Sequence, residues 1–448
     1  MTIKTMKEAE DLIYQSYLRA INHINETKDA KVKKPELTRE LFDHLGSPDQ
    51  NQKFILVTGS KGKGSTSRFI SSLLSHLGFK VGLFTSPHLV RFNERIRIDG
   101  KAISDEDFVR LSNRLVEPFQ MIESELKSNE YQGPIGLALA IAIMYFKENQ
   151  TDINIIECGR GGLYDDTNIL QNEWAVITPI MEEHLINLGP TIDDVIDHKL
   201  DIIKNETKFV YLSEQHEHLP KVLGKIHEWG LNQLSTYGKD FIAKNIAISA
   251  RGTIFDIETS NHTYCNLKLP LLGSFQAINV ATAVKLCEDI LGESIDTSIL
   301  KECYGRIQWP GRCEIIDQHP TVIVDGAINE KSARYIEEVV RKINCNHVVS
   351  VVGVPENKDY KGVIRVVSEF SQKIIVTKPD ISHLVFPEDG GKVAKSFLTN
   401  SVEAPILAEA IQLAKQEQGV DTILIIGTQT LIANAKRLWN QDLMDIGK

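Results

Sequence analysis

Apolar runs separated by segments of helical periodicity recur along this chain, and that alternation limits its fold more than any other feature. The runs are FILVTG (54–59), VGLFTS (81–86), INIIECG (153–159), WAVITPI (174–180), TVIVDGA (321–327), HVVSVVG (347–353), KIIVTK (373–378) and DTILIIGT (421–428). Segments such as TSRFISSLLSHLG, SARYIEEVVRKIN and VEAPILAEAIQLAKQEQ lie between many of them. Strand–helix alternation of this kind predicts parallel sheets covered by helices, in a doubly wound α/β arrangement. Between about 205 and 275 the pattern shortens to stretches that read as a small antiparallel sheet, attached to the first unit. A second α/β unit begins near IQWPGRCEII. With 448 residues the chain is long for one core, so two domains are expected, 1–306 and 307–448.

Composition removes several function classes. A net charge of -10 argues against a protein that wraps nucleic acid, although a local basic pocket for phosphates remains compatible with it. The cysteines form no C-x-x-C pair and no zinc spacing, which suits reduced thiols in a cytoplasmic protein. No stretch approaches the ~20 apolar residues of a membrane span. The N-terminal MTIKTMKEAEDLIYQSYLRAI is too polar for a signal peptide and reads as an amphipathic helix.

Chemistry enters at GSKGKGS (59–65), which follows the first apolar run and precedes a helical segment. A strand, a glycine-rich turn and a helix together present a ring of backbone N–H groups at a helix N-terminus, where phosphate oxygens are favoured. Gly59, Gly62 and Gly64 permit positive φ and close backbone approach, Lys63 would reach the terminal phosphates, and Ser65 or Thr66 can act as cap or magnesium-side hydroxyl. The spacing departs from G-x-x-x-x-G-K-[ST], because Gly64 separates the lysine from the serine. A glycine-lysine surface turn is the competing reading, and an ordinary P-loop ATPase or kinase is disfavoured by the same spacing.

GSKGKGS followed by LFTSPHLVRFNERIRIDG resembles the ATP-binding loop and Ser-Pro loop of folylpolyglutamate and dihydrofolate synthases, relatives of the Mur peptidoglycan ligases. In-register matches continue through ECGRGGLYDDTNIL, EEHLINLGPTIDDVIDHKLDIIK, LLGSFQAINVATAV, WPGRCEII, VDGAINEKSA, ENKDY and IGTQTL, spanning nearly the whole chain. The resemblance implies a Mur-ligase-like fold: a P-loop ATPase domain with a parallel and a small antiparallel sheet, then a C-terminal Rossmann-like α/β domain. It implies an ATP-dependent carboxylate–amine ligase that forms an acyl phosphate, most like addition of glutamate to a folate. The partners would be a small carboxylate acceptor and an amino acid, without nucleic acid or membrane, and a cytoplasmic monomer is expected.

Residue roles follow from the same matches. Lys63, Lys199 and His184 are the candidate catalytic residues. Glu157, Ser86, Ser65 and His184 are candidate metal ligands for Mg2+ and a second divalent or monovalent cation. Lys199 aligns with a lysine that is carbamylated in many relatives; an ordinary exposed helix lysine is the competing reading. Gln276, Asn279, Arg312 and Asp325 join the loop as candidate ATP contacts, with Arg312 reaching phosphate across the domain junction. Lys358 and Asp359 match a Lys-Asp pair for which simple salt-bridging is the alternative. ATP is expected in a cleft that domain closure completes.

Departures from the family pattern bear on the acceptor. Ser60 and Lys61 replace Thr and Asn, Ile328 replaces the histidine of D-G-A-H-N, Phe275 replaces that of H-Q-x-x-N, and Asp201 stands where glycine is usual. Pro134, Ile135 and Gly136 occupy the place of a T-x-F-E segment, an I-D-L-G-L-type N-terminal run is absent, and Arg160 and Asp166 are unusual in their turn. Two alternatives therefore stand beside folate ligation: a Mur-type ligase acting on another small carboxylate, and a non-catalytic nucleotide-binding relative.

Overall fold

The computed structural model describes residues 2–228, 233–343, 345–380 and 384–448. Its first sheet comprises β1 (Phe54–Thr58), β2 (Val81–Phe84), β3 (Ile96–Ile98), β4 (Lys101–Ala102), β5 (Ile153–Glu157), β6 (Trp174–Ile177), β7 (Phe209–Leu212) and β8 (Leu234–Thr236). The order is β4-β3-β2-β5-β1-β6-β7-β8. From β2 to β8 all pairs are parallel, and β3 and β4 close one edge antiparallel. β1, β2, β5 and β6 are buried along their whole lengths, as strands covered on both faces must be. Helices Met6–Ala20, Asp105–Glu125 and Pro134–Glu148 cover one face. Helices Lys63–His76 and Ser274–Leu291 cover the other.

The small sheet is β11-β10-β9, built from β9 (Phe241–Ser249), β10 (Gly252–Thr259) and β11 (Thr263–Leu269), and is antiparallel throughout. It is shorter than the expected 205–275 range. β7 and β8 instead extend the parallel sheet, because their apolar residues face the helices already packed on it.

The third sheet joins β12 (Arg312–Gln318), β13 (Thr321–Asp325), β14 (Val348–Gly353), β15 (Ser371–Val376), β16 (Ser401–Glu403) and β17 (Thr422–Gly427) in the order β12-β13-β17-β14-β15-β16. Only β12 runs antiparallel. The expected helix over 402–418 is confined to Leu407–Lys415, preceded by edge strand β16. Pro405 explains the difference, since the residue before a proline is pushed from the helical region toward extended backbone. The N-terminal amphipathic helix is present as Met6–Ala20, closed by a capping box between Thr5 and Glu8.

The chain crosses between the large sheets twice. It passes forward between Gly305 and Arg312, and returns after helix Gln429–Leu438. The returning segment lies on the β3–β4 edge. Ala102 N–H donates to Met444 O at 2.7 Å, Arg97 donates to Leu443 O at 2.7 Å, and fully buried Arg68 donates to Gln308 O, Ile446 O and Gly447 O. Burial pushes the Arg68 guanidinium down to about 10, and those carbonyls supply the polar partners that a buried cation needs. Among the described residues no helix is long and apolar enough to cross a membrane.

Candidate functional site

β1 delivers the glycine-rich turn between the two middle strands of its sheet. Gly59 has φ +136°, and a Cβ there would stand 1.9 Å from Thr178 Oγ1. Gly62, at φ +84°, is the residue before helix Lys63–His76, and a Cβ there would stand 2.8 Å from Asn279 Oδ1. Any side chain at either position would push the turn off its neighbours, so glycine is required by both conformation and space. Ser60 ties the turn to the strand-end beside it: its N–H donates to Pro179 O at 2.8 Å and its hydroxyl to Met181 O at 3.1 Å.

A cavity of about 370 Å3 opens above the turn, lined from both sides of the lobe junction. Gly62, Lys63, Gly64, Ser65 and Glu157 contribute from the first lobe, with Asn279 from helix Ser274–Leu291. Arg312 and Asp325 contribute from the second. They face one another on neighbouring strands, as register partners of the β12–β13 ladder. Asp325 accepts from Cys313 N–H at 2.9 Å, and burial raises its carboxyl pKa while Arg312 opposes the shift. The other end of the cavity is apolar, walled by Phe275, Ile278, Ile328 and Tyr335.

Glu157 ends β5, whose pairing with β2 brings the Ser-Pro loop alongside. Ser86 N–H donates to Glu157 Oε2 at 3.1 Å. Burial pushes the Glu157 carboxyl up, and Lys63, the Ser86 N–H and Arg312 hold the shift back. Gly59, Thr66 and Gln276 do not line the cavity. Gly59 offers its carbonyl to Lys63 and Lys199, whereas buried Thr66 Oγ1 and Gln276 Nε2 have no hydrogen-bond partner among the described residues. Gln276 Oε1 accepts from Asn279 Nδ2 at 3.3 Å.

Lys199 is not an exposed helix lysine. It is fully buried, donating to Gly59 O at 2.8 Å and Glu183 Oε1 at 3.0 Å. Burial lowers its pKa to about 8, Lys63 adds to the drop, and Glu183 opposes it. His184 follows Glu183 with its backbone in the left-handed region at φ +52°, and does not line the cavity. Desolvation, Lys358, Arg160 and Lys199 hold it below the usual histidine range against Glu183, leaving it neutral at pH 7. Neutral imidazole is the form that binds metals. Among the described residues no group of three or more His, Cys, Asp or Glu side chains converges, so the candidate metal ligands do not make a protein-only cage.

Asp359 takes a different part from the expected Lys-Asp pairing: it caps helix Tyr360–Ser368 and accepts from Glu330 N–H at 2.9 Å. The unusual residues of the glycine turn hold the N-terminal segment. Arg160 Nε donates to buried Asp29 at 3.0 Å. Asp166 accepts from Thr38 Oγ1 at 2.7 Å and Gly136 N–H at 3.1 Å, and burial raises it to about 6. Asp201 accepts from Asn168 Nδ2 at 2.7 Å.

Glu183, Glu214, Tyr335 and Gln429 escaped the sequence reading. Glu183 adjoins His184 in an E-E-H run, a signal that could have paired it with a buried lysine. The others are joined to the cavity only by tertiary packing.

Residues 57–287 match the Mur ligase middle domain, and residues 311–429 match the Mur ligase glutamate ligase domain. The chain is 30% identical over 402 residues to the dihydrofolate synthase/folylpolyglutamate synthase of Bacillus subtilis, covering 88% of this chain and 92% of that one. It is 28% identical over 357 residues to the folylpolyglutamate synthase of Lacticaseibacillus casei, covering 78% and 82%. Among solved structures it is similar to the Mycobacterium tuberculosis folylpolyglutamate synthase complexed with ADP, with a TM-score of 0.86, 24% identity, and 97% and 99% of the two chains covered. A folylpolyglutamate synthase complex with AMPPCP and folate superposes with a TM-score of 0.78 at 24% identity, covering 94% and 99%.

Proposed function

Because the chain belongs to the Mur ligase family, in its folylpolyglutamate and dihydrofolate synthase branch, we propose that its interlobe cavity drives ATP-dependent joining of glutamate to a folate carboxylate. The observation that carries this reading is the convergence of Lys63 and Glu157 from one lobe with Arg312 and Asp325 from the other on a single cavity.

The reaction has two displacements. A carboxylate oxygen of the acceptor attacks the γ-phosphorus of ATP, the bond to the bridging oxygen breaks, and ADP departs from an acyl phosphate. The glutamate amine then attacks the acyl carbon, inorganic phosphate leaves with the C–O electron pair, and the amine gives up a proton. Little covalent work falls to the protein, whose task is to position the partners and neutralise phosphoryl charge.

Each residue has a part in that task. The N–H groups of Gly62 to Ser65, at the start of a 14-residue helix, cradle phosphate oxygens. Lys63 turns from Gly59 O to the terminal phosphates. Arg312 brings a fork of donors from the opposite lobe, and its approach on closure helps to keep water from the acyl phosphate. Asn279, Gln276 and Asp325 bound the nucleoside side, and the apolar wall accepts the flat base. Buried Glu157, with Ser86 bonded to it through its N–H and Ser65 lining the same cavity, offers with those serines the hard-oxygen donors that suit Mg2+. These residues would hold the ion where it neutralises phosphoryl charge. His184 and Lys199, the latter as amine or carbamate, border the acceptor side. The partners in this reading are small molecules, and a cytoplasmic monomer is its expected form.

The test is ADP release with ATP, magnesium and glutamate, supplied in turn with dihydropteroate, tetrahydrofolate and unrelated small carboxylates. Release that requires both glutamate and a pterin substrate is expected. Release with a different carboxylate alone would move the acceptor away from folate, and no amino-acid-dependent release with any of them would overturn ligation.

A further inference from the structure

Helix Gln429–Leu438 is bound to strand β12 by a row of side chains on one of its faces. Gln429, Ile432, Lys436 and Trp439 follow one another at helical spacings of three and four residues, so they share that face. With its amide oxygen turned inward, Gln429 accepts from the Arg312 guanidinium. Ile432 packs against Gly311, where an added Cβ would come within 2.9 Å of its Cγ2. Lys436, fully buried, donates to Glu314 Oε2 at 2.5 Å and to Gln441 Oε1 at 2.7 Å. Trp439 Nε1 donates to Asp317 Oδ2 at 3.0 Å.

The middle rung touches the backbone from which Arg312 projects. Glu314 Oε2, the atom bonded to Lys436, also accepts Gly311 N–H at 2.7 Å. Gly311 holds φ +74° at the crossing between lobes, and Arg312 follows it directly. One carboxylate oxygen therefore links a buried cation on the last helix to the peptide at which the chain enters the second lobe. A buried ion pair is weak evidence for stability, since a well-packed apolar pair commonly serves as well. Its charge and geometry are better suited to fixing a position.

We propose that Lys436 and Glu314 are positioning residues for Arg312, locking the Gly311 peptide so that the guanidinium enters the cavity in register with the glycine-rich turn. The inference rests on the reading above, in which Arg312 meets phosphate, and adds the device that aims it. It also accounts for a fully buried lysine that does not line the cavity.

The experiment is a set of variants assayed for folate-dependent ADP release and thermal unfolding: Arg312→Ala, the pair Glu314→Leu with Lys436→Met, and all three changes together. The paired change removes both charges at once, so no ion is left buried alone. It is expected to keep a near-parental melting temperature while kcat falls on the order of tenfold or more, as misplacement of a charged group by about 1 Å can cause. KM for the folate should stay unchanged. The triple variant should lose no more than Arg312→Ala alone, because the pair acts only through that residue. The single variant Glu314→Gln keeps an oxygen for Gly311 N–H and should retain most of kcat, while its melting temperature falls because buried Lys436 loses its charged partner. Unchanged kcat in a folded paired variant, or losses that multiply in the triple variant, would overturn the positioning role. Undiminished turnover of Arg312→Ala would instead remove Arg312 from the reaction, and the inference with it.

Discussion

Lys63 and Lys199 donate to the same atom. Their ammonium groups, on separate helices, reach Gly59 O at 2.9 and 2.8 Å. Two cations sharing one carbonyl repel each other. The arrangement persists because Glu183 balances Lys199 on its other side and because Lys63 has a second place to go, the phosphate side of the turn. The Gly59 carbonyl is thus a hub between the glycine-rich turn and buried Lys199.

Lys63→Ala is expected to lower ADP release by about 10²–10³-fold, the usual cost of removing one donor aimed at developing charge. It should also relieve repulsion on Lys199 and raise the pH at which that amine reacts. Turnover together with the pH profile of Lys199 reductive methylation reads both effects. A folded variant with parental turnover would remove Lys63 from the phosphate site.

Lys199 is depressed from 10.5 to about 8 by burial, so between those values the unfolded chain binds more protons than the folded one. Stability from this residue therefore rises as pH climbs from about 8 toward 10.5, by on the order of 3 kcal/mol in full. Urea unfolding across that window should show the rise in the parent and a flatter curve in Lys199→Met. The same depressed pKa leaves a useful neutral fraction near pH 8. Carbon-13 bicarbonate is expected to give a carbamate resonance that Lys199→Met abolishes, and its absence from the parent would leave Lys199 an amine.

The resemblance and the long apolar runs made the core strands and the phosphate turn legible. Buried parallel strands such as β1 and β17 announce themselves as unbroken apolar runs. Edge elements do not. β12 carries Arg312, Glu314, Asp317 and Gln318 on a half-covered edge, and β16 is three residues that pair, among the described strands, with β15 alone. Within the site, residues on the turn could be named because turn, strand and helix are contiguous in sequence. The Glu183–Lys199 pair joins a loop to a helix and the Gln429–Arg312 contact joins a helix to strand β12, elements that meet only after folding.

Glu157→Gln should separate metal dependence from nucleotide binding. The amide keeps the size of the side chain but loses the charge that a hard cation needs. ADP release is expected to fall on the order of 10²-fold and to recover partly at high magnesium, while nucleotide still binds in calorimetry. An unchanged magnesium requirement would take Glu157 out of the metal's surroundings. Relief of the buried carboxylate, whose pKa burial raises, should leave the melting temperature equal to or above that of the parent.

Gly59→Ala tests whether the hub tolerates any side chain. The new Cβ would meet Thr178 Oγ1 at 1.9 Å and, more seriously, the Thr178 backbone carbonyl at 2.8 Å. Trimming Thr178 to Ala relieves only the first contact. Strands β1 and β6 must therefore separate or the turn must rotate, and φ +136° adds strain of about 1–3 kcal/mol for a residue with a side chain. A loss of about 3 kcal/mol or more in unfolding free energy is expected, with little rescue by Thr178→Ala. Because Gly59 O would swing with the turn, Lys199 should lose its short contact and its depressed pKa together. Full rescue by Thr178→Ala would show that side-chain crowding alone, and not the backbone approach, demands glycine here.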